Sequence, residues 1–190
     1  MLSVLLSLGV ALLLVSCGEE QQRPPAGGQP ETPQIEEKGE STMKLTSEAF
    51  EDGQSIPQKY TGEGANVSPP LSWSDAPEGT QEFALICDDP DAPREEPWVH
   101  WVLWDIPADT TSLPEDSAGG GTEGTNRSGD TGYTGPMPPP GHGTHHYHFK
   151  LYALDTDIQL NAGATKKDLL QTIQDHVLAK TELVGTCRHL

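Results

Sequence analysis

Apolar and polar side chains alternate along residues 145–154, which is the two-residue period of a β-strand. The period predicts a strand in which His145 and Tyr147 share one face, while the neighbouring histidines point to the other. A loop at 132–141 precedes this strand and holds four prolines and three glycines. Because proline restricts φ and glycine permits angles closed to other residues, we expect a rigid loop with an unusual backbone path. A rigid loop beside clustered imidazoles is a candidate site.

Two continuous apolar runs predict further strands. Residues 83–87 form a compact run, and the longer, aromatic run at 99–106 is typical of a strand buried on both faces. In this second strand, the two-residue period places His100 on the face shared by Val102 and Trp104.

One segment has the three- and four-residue spacing of an amphipathic helix. Thr165 is the expected N-cap, and the helix is expected to end before Gly185. Its apolar positions are Leu169, Leu170, Ile173, Val177 and Leu178. His176 is expected at the surface of this helix. Because proline and glycine recur through 55–79 and 110–143, those parts are predicted to be loops, and the whole pattern predicts a mainly β domain with a few peripheral helices.

Charge narrows the range of partners. The chain of 190 residues carries a formal net charge of −18. Residues 1–42 hold six glutamates against one arginine and one lysine, so −14 falls on the remainder. Such a surface repels phosphate backbones, and no basic stripe interrupts it. Nucleic acid is therefore not expected as a partner.

The segment 1–17 predicts an export signal. Residues 1–16 are uncharged and rich in leucine and valine, in a run too short to span a bilayer comfortably. A small residue before Cys17 resembles the lipobox of bacterial lipoproteins, which makes Cys17 the lipidated first residue of the mature protein. No lysine or arginine precedes the apolar run, which departs from the usual signal. An ordinary secretory signal is the alternative.

Composition divides the rest of the chain in two. Residues 18–42 are rich in glutamine, proline, glycine and glutamate, which predicts a disordered tether. Residues 43–190 are long enough to form one domain with its own core. We therefore expect a domain held to a membrane of the cell envelope by its lipid anchor and facing outside the cytoplasm.

Cys87 and Cys187 are the two cysteines beyond the export signal. Cys87 ends the apolar run at 83–87, where a small buried hydrophobe is the simpler interpretation. An exported protein meets an oxidising compartment, where a disulfide between Cys87 and Cys187 is an alternative. The sequence does not decide between the two interpretations, because it gives no distance between the cysteines.

Three carboxylates, those of Asp88, Asp89 and Asp91, follow the first apolar strand, with prolines between and after them. Taken alone, such a cluster is typical of a polar turn whose side chains accept from backbone amides.

Several motifs occur in order along the chain: TGEGANVSPPLSW at 61–73, DPDAP at 89–93, WVHW at 98–101, GYTGPMPPPG at 132–141, HHYHF at 145–149 and LVGT at 183–186. Together they resemble the phosphatidylethanolamine-binding protein family, in its bacterial, Raf-kinase-inhibitor-like branch. The match covers nearly all of residues 43–190, and several motifs in order are far more specific than any one of them.

The resemblance implies a mainly β fold in which a large antiparallel sheet packs against a smaller one, with a few peripheral helices. It also implies a pocket for small anions such as phosphate, a phosphorylated head group or acetate, with no cofactor and no catalytic residue. The ligand-binding residues carried over by motif are Asp89, Asp91, His100, Gly135, Pro138, His145 and Tyr147.

The chemistry of these residues suits an anion. Imidazole and phenol groups and loop amides donate hydrogen bonds to phosphate oxygens, and a carboxylate holds an imidazole in the donating tautomer. Asp89 is alternatively suited to accept from an ethanolamine ammonium group. The negative charge of the domain is expected to keep anion affinity modest and sensitive to salt.

Met137 and three extra histidines depart from the family pattern. Met137 stands where a small residue or cysteine is common in the family, so we expect a narrower or more apolar pocket floor. The extra histidines are His142, His146 and His148, and with His145 their spacing supplies ligands of the kind a metal site uses. A metal site on the opposite strand face is therefore an alternative, although no metal is assigned.

Two further functions remain open. For a hydrolase, Asp89, His100 and His145 supply acid, base and orienter, with Ser117 or Ser128 as nucleophile. Neither serine lies in a nucleophile elbow, so binding without catalysis is the preferred interpretation. Family resemblance also suggests a serine-protease inhibitor or another regulator of an envelope protein, whose identity the sequence does not give.

Overall fold

The computed structural model describes residues 42–189, so the predicted signal, Cys17 and residues 18–41 of the predicted tether lie outside the described residues. The strands are β1 (Lys44–Thr46), β2 (Leu71–Ser74), β3 (Glu82–Asp89), β4 (Trp98–Pro107), β5 (Ser112–Leu113), β6 (Thr122–Glu123), β7 (Thr144–Leu154) and β8 (Val177–Arg188). The helices are α1 (Lys166–Ile173) and a 3-10 turn (Gln58–Tyr60). In the described part, neither is long and apolar enough to cross a membrane.

The strands form two antiparallel sheets. The larger has the order β6-β4-β3-β7-β8, and the smaller has the order β1-β2-β5. All eight residues of β3 are buried, because this strand has neighbours on both sides and is covered on both faces. The three strands predicted from the apolar runs and from the alternation are confirmed as β3, β4 and β7.

Each face of the large sheet has its own apolar core. One face packs against the small sheet, and this core includes Leu45, Leu71, Trp73, Phe83, Leu85 and Phe149. The other face is covered by α1, and this core includes Ala84, Ile86, Val102, Leu169, Leu170 and Ile173. The expected architecture, a large sheet against a smaller one with peripheral helix, is confirmed.

Helix α1 begins as predicted and ends earlier. Thr165 is its N-cap, in a reciprocal capping box with Asp168. The helix stops at Ile173, and the residues expected on its last turn, Val177 and Leu178, instead begin β8. The prediction was wrong there because β8 pairs with β7 over most of its length, and this tertiary pairing outweighs a local spacing that fits either element.

Candidate functional site

Three polar side chains share one face at the end of the β3-β7 pair. Cys87 lies opposite Phe149 and Asp88 opposite His148, so the next residue, Asp89, follows on the face of Phe149 and Tyr147. Along β7, His145 and Tyr147 are buried while His146 between them is exposed. The prediction that His145 and Tyr147 share a face is confirmed.

Asp89 and His145 form a buried hydrogen-bonded pair. The His145 Nδ1 lies 2.8 Å from Asp89 Oδ2, and both side chains are buried. The second carboxylate oxygen, Asp89 Oδ1, accepts from the backbone amide of Asp91 at 2.8 Å. Two donors therefore fix the orientation of the carboxylate, and the carboxylate fixes the imidazole ring.

His100 joins this face through a β-bulge. The register between β3 and β4 runs from Cys87–Trp101 to Asp88–Val99, which leaves His100 as an extra residue in β4. A bulge of this kind turns side chains to the other face. The ring of His100 consequently packs edge-on against Tyr147, with centroids 5.1 Å apart at 77°.

The expected face of His100 was therefore wrong. Val102 and Trp104 belong to the core under α1, whereas Tyr147 belongs to the core under the small sheet. Strict alternation placed His100 with the first group, and the bulge moves it to the second. The correction brings His100 to the side of the sheet that holds Asp89 and His145.

The proline-rich loop is tied to β4 next to His100. The amide of Thr134 donates to the carbonyl of His100 at 2.9 Å, and His100 Nδ1 donates to the Thr134 carbonyl at 2.6 Å. One residue further, the Gly135 amide donates to Asn66 Oδ1 at 2.7 Å. A Cβ on Gly135 would lie 2.6 Å from the Tyr60 carbonyl oxygen, so the backbone approaches too closely for any other residue.

Met137 does not form the pocket floor that its size suggested. Its side chain is 65% exposed and lies over Gly62, where an added Cβ would stand 3.2 Å from the Met137 Cβ. The prolines on either side, Pro136 and Pro138, are buried. The loop thus turns the prolines inward and the methionine outward.

Asp91 lies outside the buried group. It is exposed, and its carboxylate accepts from the His146 backbone amide at 2.8 Å and contacts His146 Nδ1 at 2.7 Å. These hydrogen bonds lower the pKa of Asp91. The side chain of Asp91 thus links the turn after β3 to β7. Its contact with the buried group is the hydrogen bond that its backbone amide donates to Asp89 Oδ1.

Burial sets the electrostatic character of the site. It lowers the pKa of His100, which favours a neutral ring, although the hydrogen bond to Thr134 and the charge of Asp89 act in the other direction. Burial, followed by the charge of Asp89, raises the pKa of Tyr147, so its phenol keeps its proton. His100 and His145 both direct Nδ1–H at protein acceptors. When such a ring is neutral, its Nε2 has no hydrogen and accepts, whereas the sequence led us to expect an imidazole N–H that donates to the anion.

The extra histidines bind separate carboxylates. His146 pairs with Asp91, and His148 Nδ1 lies 2.7 Å from Glu182 Oε1. Among residues 42–189, no group of three or more histidine, cysteine, aspartate or glutamate side chains is arranged to hold a metal ion. The two serines considered as nucleophiles have local roles or lie at the surface: Ser117 Oγ accepts from the Gly119 amide, and Ser128 is exposed.

Three residues near the site were missed by sequence reasoning. Thr134 and Asn66 fix the loop, and Cys187 on β8 lies directly opposite His145. Asn66 lies inside the first motif, so the sequence offered it as a candidate site residue. The position of Cys187 depends on the register of β7 with β8, which the local sequence does not indicate. Cys87 and Cys187 are free thiols, the first buried and the second half-buried.

Comparison with known proteins identifies the family. The family model described as phosphatidylethanolamine-binding protein matches residues 46–188. A UPF0098 protein of Methanothermobacter thermautotrophicus is 48% identical over 152 residues, which cover 77% of this chain and 99% of the relative.

Two solved structures agree with this match. A phosphatidylethanolamine-binding protein homolog from Chlamydia trachomatis has a TM-score of 0.75 at 38% identity, covering 80% of this chain and 100% of the other. E. coli YbcL, described as a member of the mammalian PEBP family, has a TM-score of 0.74 at 33% identity, covering 78% of this chain and 99% of the other. The chain belongs to the phosphatidylethanolamine-binding protein family.

Proposed function

We propose that the domain binds a small anion, either phosphate or a phosphorylated head group, at the cluster of Asp89, His100, His145 and Tyr147. The observation that carries the proposal is the buried Asp89–His145 pair, at 2.8 Å, beside a second imidazole and a phenol on the same face. Burying polar groups costs free energy, and such groups converge more often at functional sites than elsewhere. The name of the family favours a phosphorylated ligand.

The other candidate residues have supporting roles in this proposal. Gly135 and Pro138 shape the loop that is tied to His100, and Asp91 orients Asp89 through its amide. The function proposed is binding, without a catalytic step. The formal charge of the domain keeps the affinity modest, because a negative surface repels the ligand at long range.

Thermal unfolding with added ligand tests the proposal. A ligand that binds the native state at about a hundred times its dissociation constant stabilises it by about 2.7 kcal/mol. We expect phosphate and phosphoethanolamine to raise the melting temperature of the wild type, and His145→Ala to abolish both shifts. His148→Ala is the matched control, because His148 lies on the opposite face of the same strand and pairs with Glu182. Equal shifts in His145→Ala and wild type would contradict the proposal.

We further propose that the protein is lipidated on Cys17 and presented at the cell envelope, where the bound anion regulates a protein partner. The support is the sequence at 1–17 and the composition of the segment that follows. Expression in a bacterial host with a labelled fatty acid tests the anchor. Wild type should incorporate label, and Cys17→Ser should not. Label retained in Cys17→Ser would exclude this anchor and leave the ligand-binding proposal untouched.

A further inference from the structure

Both buried histidines direct their Nδ1 hydrogen at the protein. His100 Nδ1 lies 2.6 Å from the Thr134 carbonyl oxygen, which only accepts, so this nitrogen carries the hydrogen. His145 Nδ1 lies 2.8 Å from the Asp89 carboxylate, which also accepts. A neutral imidazole has one N–H and one lone pair, so each ring presents a lone pair at Nε2.

The two Nε2 atoms are open to a ligand. Within the described residues, neither of them has a hydrogen-bond partner. The fully buried side-chain nitrogen and oxygen atoms without a partner there are those of Trp73, Glu82 and Trp104, and neither histidine is among them. Neither Nε2 atom is therefore fully buried, although His100 and His145 are only 5% and 2% exposed.

The ionisable groups around the two rings add little donor capacity. Asp89 is the acceptor for His145, and its negative charge also acts on His100. Tyr147 keeps its proton, because burial raises the pKa of its phenol, and a hydrogen bond to the Asp89 carboxylate acts in the same direction. Cys187 lies opposite His145 on β8, and burial raises the pKa of its thiol as well.

The remaining neighbours are two carboxylates and a third imidazole. Asp88 acts on His100 at longer range, and its charge is matched by two lysines. Asp91 pairs with His146, and the ring of His142 stands 6.1 Å from that of His145. With both rings neutral, the site therefore offers a ligand several acceptors and few donors.

We propose that this site selects anions that carry an acidic O–H group, such as hydrogenphosphate or a protonated phosphate monoester, over anions of similar shape that carry none. The inference rests on the proposed anion-binding function and names the class of its ligand. The P–O–H group donates to an imidazole Nε2, which a neutral ring leaves as an acceptor. Sulfate instead sets an oxygen lone pair against the nitrogen lone pair, and a site built for a donor rejects an analogue that lacks it.

Calorimetric titration of the wild type with phosphate and sulfate tests the inference. At about pH 7.5 an ordinary imidazole is mostly neutral. We expect phosphate to bind at least about tenfold more tightly than sulfate there, as one hydrogen bond to a charged group predicts. Dimethyl phosphate, a diester without an O–H, should bind as weakly as sulfate.

The results distinguish failure of the selectivity inference from failure of the proposed anion-binding function. If neither phosphate nor sulfate binds, the anion-binding proposal fails. If both bind equally, anion binding stands and the selectivity inference is overturned. Dimethyl phosphate binding as tightly as phosphate would also overturn it, because the selection would then not depend on an O–H group.

A glutamine variant assigns the selectivity to one ring. In His100→Gln the side-chain amide places an N–H near the position of Nε2, so the ratio of sulfate to phosphate dissociation constants should fall towards one. His176→Gln is the matched control, because His176 Nδ1 also pairs with a carboxylate, that of Asp155 at 2.9 Å. His176 lies just before β8 and outside the site. An unchanged ratio in a folded His100→Gln would contradict the assignment. His145→Gln repeats the test if His100→Gln does not fold.

Discussion

Asp88 and Asp89 are neighbours in sequence and face opposite sides of the large sheet. Asp89 faces the small sheet and holds His145, whereas Asp88 faces α1 and is fully buried between two lysines. Its Oδ1 lies 2.7 Å from Lys150 Nζ on β7, and its Oδ2 pairs with Lys166, the first residue of α1. One short segment thus supplies a site carboxylate and an ion pair that links the sheet to the helix.

We expect Asp88→Asn to be strongly destabilising. The two ammonium groups would lose their buried partner, and breaking such a pair from one side costs about 3 kcal/mol. Urea unfolding of the variant should show this loss as a lower midpoint. Lys166→Met should cost less, because Lys150 still neutralises the carboxylate. Equal losses in Asp88→Asn and Lys166→Met would contradict this account.

The same ion pairs predict a loss of stability in acid. Burial alone would raise the pKa of Asp88, but the charges and hydrogen bonds of Lys166 and Lys150 outweigh it and lower the pKa below 3.8. Stability from this group is therefore present above the pKa of the unfolded chain and is lost as the pH falls through the lower folded value. The acid limb of the stability curve should be weaker in Asp88→Asn than in wild type.

Asp89→Asn should change the anion preference of the site. The asparagine oxygen can still accept from the Asp91 amide, which places its amide nitrogen at the position that faces His145 Nδ1. That nitrogen donates, so His145 Nδ1 becomes the acceptor and Nε2 carries the hydrogen. Removal of one negative charge also reduces repulsion.

Titration of Asp89→Asn with sulfate and phosphate measures the effect. We expect sulfate to bind about tenfold more tightly than it binds to wild type, as gain of one hydrogen bond to a charged group predicts. Phosphate should change less. The substitution leaves the pair between His146 and Asp91 unchanged, so the turn after β3 is expected to keep its conformation. Weaker sulfate binding in a folded variant would contradict the proposed ring orientation.

The sequence predicted the strands of the site better than their registers. Alternation along β7 was enough to place His145 and Tyr147 on one buried face, since a strand between two others has no freedom to rotate. The face of His100 was not predictable, because a bulge depends on the pairing of β4 with β3 rather than on the local sequence. The proximity of Cys187 to His145 likewise depends on a register between distant segments.

Glu82 should make stability fall as the pH rises. It is buried at the start of β3, where Oε2 accepts from the Ile158 amide at 3.1 Å and Oε1 has no partner among the described residues. Burial raises its pKa from 4.5 to about 7. Below pH 4.5 both states are protonated, and between 4.5 and about 7 the unfolded chain ionises while the folded one does not.

Urea unfolding of wild type and Glu82→Gln across this range checks the sign. The variant should remove a pH-dependent loss on the order of 2 kcal/mol, and it should be the more stable protein at neutral pH. Glu51→Gln is the control, because Glu51 is exposed. A wild-type stability that rises between pH 4.5 and about 7, with no difference in Glu82→Gln, would contradict this role for the carboxyl group.

Gly135→Ala should disrupt the loop beside His100. A Cβ at this position would lie 2.6 Å from the Tyr60 carbonyl oxygen and 2.7 Å from the Thr61 carbonyl carbon, and both contacts are with backbone that cannot move aside cheaply. We expect a loss of about 2 kcal/mol in the free energy of unfolding, typical of overpacking. Because Thr134 next to it holds the His100 ring, phosphate binding should weaken as well.

Gly62→Ala is the matched control for this loop. Its Cβ would meet the Met137 Cβ at 3.2 Å, a contact that a small shift of this exposed part of the loop relieves. The expected loss is within about 0.5 kcal/mol, as for an ordinary surface substitution. Equal losses in the free energy of unfolding for Gly62→Ala and Gly135→Ala would contradict this prediction. The close backbone approach at Gly135 would then not be what holds the loop beside His100.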